Sequence, residues 1–273
     1  MQSRKRRLNF SLVLISLIIV VIGAVIVTTA LRNTSPKHLQ PAQASALTTM
    51  TDIATVTSIP TTPPAVANLE DDASQWGIFY DGGNALAKLE NISQPSVDGS
   101  ALKISLLSGQ PYTGIHAYRN LPANDTATKF DLKLFFSFSS VTPIQALEFT
   151  MNSWVNNQRW EWALQWENIG DGTTQQGNPP TWRLWTGRSW QNIGVRQQLS
   201  PKIWHKLHLK GDLLHGQVHY VGFTCDDTSA NLDQIFAPVS APGNKMAVAV
   251  QLDGDSREDA YQVYIDGVDF QWS

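Results

Sequence analysis

The chain has 273 residues and carries 20 lysines and arginines against 23 aspartates and glutamates, so its formal net charge at pH 7 is −3. The basic residues of its C-terminal part form no stripe, and this distribution argues against binding to nucleic acid. The single cysteine, Cys225, excludes an intrachain disulfide and a CxxC zinc site.

The N-terminus predicts a membrane anchor. Residues 1–7 are a short basic segment, and residues 8–31 form a run of 24 residues without a charge. A helix needs about 20 apolar residues to cross a bilayer, and basic residues in front of it stay in the cytoplasm. A cleaved signal peptide, whose apolar region is about 7–15 residues long, is the alternative. The rest of the chain is therefore expected outside the cytoplasm, as a domain of a single-pass cell-membrane protein or as a secreted protein.

Residues 32–70 are rich in serine, threonine, alanine and proline and carry few charges. This composition is typical of a flexible or semi-extended linker. The remaining residues, 71–273, are enough for one β-sandwich domain with a full core.

Short runs of alternating apolar and polar residues fill this domain, with glycine, proline, asparagine and aspartate between them, and predict β-strands. In chain order the predicted strands are 76–80, 85–91, 101–107, 112–119, 129–138, 146–152, 159–167, 181–185, 203–211, 216–223, 245–253 and 261–270. No window has the convincing period of an amphipathic helix. The pattern predicts an all-β sandwich or barrel.

The run RWEWALQWE, residues 159–167, separates its side chains between two faces. One face holds Trp160, Trp162, Leu164 and Trp166, and the other holds Arg159, Glu161, Ala163, Gln165 and Glu167. A row of indoles beside a leucine is typical of a sheet packed on another sheet, so we expect these tryptophans in the core. The alternative is an exposed aromatic platform that stacks on sugar rings.

The opposite face of this strand and of its neighbours is unusually rich in carboxylates and amides and lacks lysine. The same alternation predicts that the following side chains share it: Glu148, Asn152, Glu161, Gln165, Glu167, Arg183, Trp185, Gln251 and Asp253. We interpret this set as a ligand-binding face, with an ordinary solvated face as the alternative.

The strand LEFTMN, the tryptophan-rich hairpin after it and the ending MAVAVQLDG…YQVYIDGVDF resemble the concanavalin A-like lectin and glucanase superfamily over residues 71–273. The resemblance implies a jelly roll of two antiparallel sheets whose concave sheet binds glycans. The E-x-D-x-E strand of laminarinase-like glucanases is absent. The R-x-E-L-R and Q-I-H strands of similar alginate lyases are absent too, so the resemblance supplies no catalytic residue.

A carboxyl pair for glycoside hydrolysis is nevertheless compatible with the predicted hairpin. If strands 146–152 and 159–167 pair around a turn at Asn156 and Asn157, Glu148 lies opposite Gln165, and Asn152 lies opposite Glu161. Glu167 then becomes a diagonal neighbour of Glu148, with Cα atoms roughly 7–8 Å apart. Glycosidases place their two carboxyls about 5–9.5 Å apart, so Glu148 and Glu167 are candidates for an acid and a base.

The sequence contains only weak patterns for metal binding. His205 and His208 point to opposite sides of a strand and cannot chelate one ion together. The acidic loop DGDSRED, residues 253–259, lacks the spacing of an EF-hand. Since structural calcium is common in similar jelly rolls, the resemblance leaves a calcium ion at this loop as an open alternative, and the sequence commits no metal ligand.

Together these features predict a membrane-anchored, extracytoplasmic domain that binds a glycan on one sheet. Carboxylates and amides would bind sugar hydroxyls, Trp185 would stack on a ring, and Arg183 would favour an acidic or oxygen-rich glycan. Two alternatives stay open. One is a polysaccharide hydrolase or lyase that uses the same groove, with Glu148 and Glu167 as acid and base. The other is a surface domain with a protein partner and no glycan.

Overall fold

The computed structural model describes residues 65–81, 85–108, 111–168, 179–257 and 259–273. The predicted basic segment 1–7, the predicted membrane helix 8–31 and most of the predicted linker lie outside these residues. Within the described ranges, no helix has the length and hydropathy to cross a membrane.

The described chain forms sixteen strands and two short 3₁₀ helices, Leu69–Asp71 and Ala73–Gln75. The first eight strands are β1 (Ala65–Val66), β2 (Trp76–Asp81), β3 (Leu86–Ile92), β4 (Ala101–Ser108), β5 (Gly114–Leu121), β6 (Lys129–Phe138), β7 (Ile144–Val155) and β8 (Gln158–Glu167). The other eight are β9 (Thr181–Trp185), β10 (Trp190–Arg196), β11 (His205–Leu214), β12 (Gln217–Cys225), β13 (Thr228–Phe236), β14 (Val239–Ser240), β15 (Lys245–Gly254) and β16 (Tyr261–Trp272).

These strands form two antiparallel sheets. The front sheet has the order β10-β9-β8-β7-β15-β5-β2, with β14 paired to β8. The back sheet has the order β13-β12-β11-β6-β16-β4-β3, with β1 paired to β16. In each order three of the six neighbouring pairs join strands that are distant in sequence, as in a jelly roll. The predicted all-β architecture of two antiparallel sheets is confirmed.

Large apolar side chains from both sheets fill the space between them. Phe136 of the back sheet packs on Phe149 of the front sheet, and Phe130 packs on Trp162, each with 4.7 Å between ring centroids. Trp162 is fully buried and donates its indole N–H to the carbonyl of His219 at 3.0 Å. A Cβ on Gly211 would lie 2.3 Å from this indole, so only glycine fits opposite it. The interpretation of the 159–167 tryptophans as core residues is confirmed.

The hairpin of β7 and β8 sets the register of the front sheet. Asn156 and Asn157 have φ angles of 53° and 61°, as a two-residue type I′ turn requires, and asparagine tolerates this region well. Asn152 therefore pairs with Glu161, and Glu148 pairs with Gln165. The predicted turn and the predicted strand register are both confirmed.

The described structure includes residues 65–70, the end of the predicted linker. β1 pairs Ala65 with Gln271, and both Leu69 and Glu70 are completely buried. The carboxylate of Glu70 accepts hydrogen bonds from the backbone N–H groups of Gly267 and Val268, at 2.7 and 2.9 Å. Composition gave no sign of this, because the segment has the same small and polar residues as the linker before it.

Candidate functional site

A groove of about 610 Å³ lies on the outer face of the front sheet. Its floor consists of small side chains, because Ala249, Thr150 and Ala163 are paired neighbours on three adjacent strands. Tyr118, the partner of Ala249 on β5, stands at one side of this floor, and Trp185 of β9 lines the other. The groove is therefore a trough of small residues between aromatic walls.

Both aromatic walls are supported by their neighbours. Tyr118 lies against Gly77 of the edge strand β2, where an added Cβ would come within 2.6 Å of the phenol ring. Trp185 packs on Trp190 of β10, with ring centroids 5.3 Å apart. Because both indoles are half-buried, part of each ring remains accessible from the groove.

A row of polar side chains crosses the sheet beside this trough. Gln251, Glu148, Gln165 and Arg183 occupy paired positions on β15, β7, β8 and β9. The Gln165 amide donates to Glu148 Oε1 at 2.6 Å, and its oxygen accepts from Arg183 Nε at 2.7 Å and from Arg183 Nη2. Arg183 Nη1 also pairs with Glu167 at 2.9 Å. Each side chain of the row is thereby fixed by a neighbour.

Two carboxyl groups, those of Glu148 and Asp253, meet at the end of this row and share a hydrogen bond. Glu148 is buried and Asp253 is half-buried, and burial raises the pKa of both groups. The Asp253 charge raises the pKa of Glu148 further, whereas hydrogen bonds from Gln251 and Glu148 lower that of Asp253. Glu148 is therefore the member that keeps its proton and donates it to Asp253.

A second acidic group lies farther along the groove. Burial raises the pKa of Glu161, while Arg159 lowers it through an ion pair of 2.9 Å and the Trp185 indole lowers it through a hydrogen bond. Next to this pair, the side-chain oxygen of Asn152 and the Nε of Arg159 are buried without a hydrogen-bond partner. An unmet buried polar group costs about 1–3 kcal/mol, so these two atoms mark a place where a ligand can add contacts.

All nine residues that the sequence predicts for the ligand-binding face lie on the front sheet, on the strands predicted for them. Five of them line the groove: Glu148, Asn152, Glu161, Trp185 and Gln251. Gln165, Glu167, Arg183 and Asp253 form the hydrogen-bonded support of Glu148. The Glu148 carboxyl contacts that of Asp253, and hydrogen bonds through Gln165 and Arg183 connect it to Glu167. The acid–base role of Glu148 and Glu167 stays a prediction.

Several groove residues are not among those predicted from the sequence. The predicted faces did not include the strand IHAYR or the strand end before Asn156. His116 and Tyr118 lie on the groove side of β5, and Trp154 and Lys245 lie near the hairpin end. Burial lowers the pKa of His116, although Asp81 at 3.7 Å raises it, so the imidazole is neutral. The alternation of alanine with large apolar residues in MAVAV was the available signal, because alanines on an outward face give a trough.

A cation fits a different place from the predicted acidic loop. In the described part of that loop, Asp253 is hydrogen-bonded to Gln251 and Glu148, and Asp255 binds Arg257 at 2.7 Å. Carboxylate oxygens of Glu70, Asp98 and Asp266 instead lie within 4.8 Å of one another. None of these three forms an ion pair with a described lysine or arginine, and Asp266 Oδ1 is buried without a partner.

The donor set of this acidic cluster suits calcium, which takes carboxylate, carbonyl and hydroxyl oxygens in flexible geometry. Ser96 lies beside it and donates its hydroxyl to Asp266 Oδ2 at 2.8 Å. The cluster joins the start of the described chain, the loop between β3 and β4, and the last strand. Its expected role is structural, since it lies on the back sheet and the groove lies on the front sheet.

No protein-family model matches the chain, and no curated protein matches it. Among solved structures, an endo-β-1,4-glucuronan lyase from the fungus Trichoderma reesei is 12% identical, with 78% of this chain and 96% of the lyase covered and a TM-score of 0.50. A basic winged bean lectin in complex with Tn-antigen is 11% identical, with 78% and 99% covered and a TM-score of 0.48.

A third similar structure comes from carbohydrate-binding modules of the β-sandwich superfamily. It is 10% identical, 74% of this chain is covered, the chain spans 58% of that protein, and the TM-score is 0.40. At these identities the likeness concerns the fold alone. The predicted resemblance is confirmed at the level of the fold.

The carboxyl pair predicts a specific pH dependence of stability. Raised pKa values mean that the folded state binds more protons than the unfolded state, so the free energy of unfolding falls as pH rises from about 4, where free Asp and Glu titrate, through the folded-state values. Glu148→Gln removes one titration and keeps the shape. In urea denaturation, we expect the free energy of unfolding of this variant to decrease less between pH 4.5 and pH 8 than that of the wild type. At pH 8 the variant should be the more stable of the two.

The matched control for this experiment is Asp125→Asn, which removes an exposed carboxylate in a turn. It should leave the pH dependence unchanged. An identical pH dependence in wild type and Glu148→Gln would contradict the shared proton.

The acidic cluster predicts stabilisation by calcium. A ligand that binds only the folded state adds about 2.7 kcal/mol at a concentration 100 times its Kd, so millimolar CaCl₂ should raise the thermal unfolding midpoint. We expect Asp266→Asn to abolish the increase, and Asp255→Asn, in the acidic loop, to preserve it. Calcium titration followed by differential scanning calorimetry measures both, and an increase that survives only in Asp266→Asn would place the ion in the loop.

Proposed function

We propose that this chain is a carbohydrate-binding protein whose ligand lies in the front-sheet groove. The observation that carries the proposal is the composition of the groove: a trough of small residues between aromatic walls, beside a row of mutually bound carboxyl, amide and guanidinium groups. Sugars present hydroxyls on their rims and C–H groups on their faces. The polar row supplies donors and acceptors for the first, and Tyr118 and Trp185 supply rings for the second.

The cost of the polar row supports a binding role. Two carboxyls side by side whose pKa values are raised by burial destabilise the folded state above their normal pKa values, and apolar side chains at the same positions would avoid that cost. Strongly perturbed carboxyls in a cleft are typical of functional sites. The hydrogen bonds through Gln165 and Arg183 hold Glu148 in one orientation, as recognition of a hydroxyl pattern requires.

Hydrolysis receives less support than binding. The Glu148 and Asp253 carboxyls are in hydrogen-bond contact, which is closer than the roughly 5–9.5 Å that glycosidase mechanisms need. Glu167 is engaged by Arg183, on the far side of Gln165. We therefore place Glu148 in ligand binding, and the glycan panel described below also detects turnover if it occurs.

We also propose that residues 8–31 anchor the protein in the cell membrane, with the domain on the extracytoplasmic side. The support is the uncharged run of 24 residues and the basic segment in front of it. After alkaline carbonate extraction of membranes, the chain should remain in the pellet at its full mass. Release of a shorter chain that begins after residue 31 would contradict the anchor and indicate a cleaved signal peptide.

Glycan binding is tested with the purified full-length chain in mild detergent on an array of polysaccharides and oligosaccharides, with affinities from calorimetry. Trp185→Ala should weaken binding about tenfold, because ring stacking and burial contribute on the order of 1–2 kcal/mol. Glu148→Gln should weaken it too, since the amide cannot reproduce the donor and acceptor pattern of the carboxyl pair.

The matched control is Phe135→Ala, which removes a half-buried ring from the outer face of the back sheet. It should leave affinity unchanged. No binding across the array would contradict the proposal and favour a protein partner. New reducing ends or unsaturated products, lost in Glu148→Gln, would indicate an enzyme.

A further inference from the structure

Three side chains at the hairpin end of the groove form a second row across the sheet. Two of them are cations, and we call this set the cationic row. Trp154 of β7 pairs with Lys245 of β15 on one side and with Arg159 of β8 on the other. The Lys245 ammonium lies 4.9 Å from the centre of the Trp154 ring. All three residues line the groove, so a charged group of a ligand at this end would meet a cation on each strand beside Trp154.

Part of the positive charge in this cationic row is not neutralised by the protein. Glu161 takes one nitrogen of Arg159, Nη2, while Arg159 Nε is buried and has no partner. Among the described residues, Lys245 contacts the Trp154 ring and has no carboxylate within ion-pair distance. The row thus carries two cations against one carboxylate, and the buried N–H of Arg159 Nε has no acceptor.

A hydrogen-bond acceptor lies next to the cationic row, at the same end of the groove. Asn152, which pairs with Glu161, is nearly completely buried, and its side-chain oxygen has no partner. On a sugar ring, a hydroxyl next to an anionic group would donate a hydrogen bond to Asn152. The anionic group would accept a hydrogen bond from Arg159. These unmet atoms are complementary to a ring that carries both groups.

The two ends of the groove therefore differ in charge. The carboxyl pair of Glu148 and Asp253 lies at one end, and the cationic row lies at the other, six residues along β7 from Glu148 to Trp154. At about 3.4 Å per strand residue the ends are about 20 Å apart, which exceeds the Debye length in physiological salt. An anionic group is repelled at the first end and attracted at the second.

We propose that the cationic row is a subsite for an anionic sugar residue, one that carries a carboxylate or a sulfate ester, within the glycan that the groove binds. This inference rests on the proposed function and assigns Lys245, Arg159 and Trp154 to the recognition of charge. The carboxyl end recognises hydroxyls, so the opposite charges also fix the direction in which the glycan lies.

The test uses three oligosaccharides built on one backbone, the one that the glycan array selects. One is neutral, one is oxidised to uronic acid at C6, and one is sulfated at C6. The full-length chain should bind one of the anionic forms about tenfold or more tightly than the neutral form, as charge-assisted hydrogen bonds require. Raising the salt concentration should reduce this preference. The difference between the oxidised and sulfated forms identifies the anion.

Lys245→Met should remove most of the preference for the anionic form, and Lys245→Arg should retain it. Lys206→Met is the matched control, because Lys206 also lies over an aromatic ring, that of Phe135, with its ammonium 5.9 Å from the centre. Arg159→Gln should act like Lys245→Met. It also leaves Glu161 without its ion pair, so its result counts only if its thermal unfolding midpoint is that of the wild type.

The possible results distinguish failure of the anionic subsite from failure of carbohydrate binding, the proposed function on which the subsite rests. Equal affinity for the three forms, or a preference that survives Lys245→Met, would overturn the anionic subsite and leave carbohydrate binding intact. A chain that binds none of the array glycans would overturn both. A preference lost in Lys245→Met and kept in Lys206→Met supports the assignment.

Discussion

The register of the β7–β8 hairpin is the constraint on which the rest of the domain depends. Two asparagines in left-handed conformation close the turn, and their position decides which residue of β8 lies opposite each residue of β7. Because strand side chains alternate, a slip of one residue would expose the indoles and bury the carboxylates. One turn therefore sets both the core and the groove, because the register that pairs Glu148 with Gln165 also places Trp162 in the space between the sheets.

Much of this arrangement could be predicted from the sequence, because it follows from local rules. The period of two sorted RWEWALQWE correctly, and the Asn156–Asn157 turn gave the pairing of Glu148 with Gln165. The contact of Glu148 with Asp253 could not be foreseen, because it requires β15 to lie beside β7, and periodicity specifies faces but not neighbours. The burial of Glu70 was hidden for the same reason, since its partners are about two hundred residues away.

The groove shows how a sheet surface becomes selective without loops that enclose it. Small residues at three paired positions lower the floor, and a glycine on the edge strand lets Tyr118 take its place at the side. Hydrogen bonds then fix the polar side chains before a ligand arrives, which reduces the entropy lost on binding. Preorganisation of this kind explains why the sheet tolerates carboxyl groups that weaken the fold.

The attachment of Glu70 to the last strand has a mechanical consequence. β1 lies along the end of β16, and the Glu70 carboxylate grips two successive amides of that strand. Tension applied to the chain before Ala65 would load these contacts first, and β16 would pass the force into the middle of the back sheet. The front sheet is attached to the same segment, because the Leu69 carbonyl accepts hydrogen bonds from Trp76 of β2 and Arg119 of β5. A pull from the N-terminal side would therefore be resisted by contacts to both sheets before it reached β2, the edge strand that supports Tyr118.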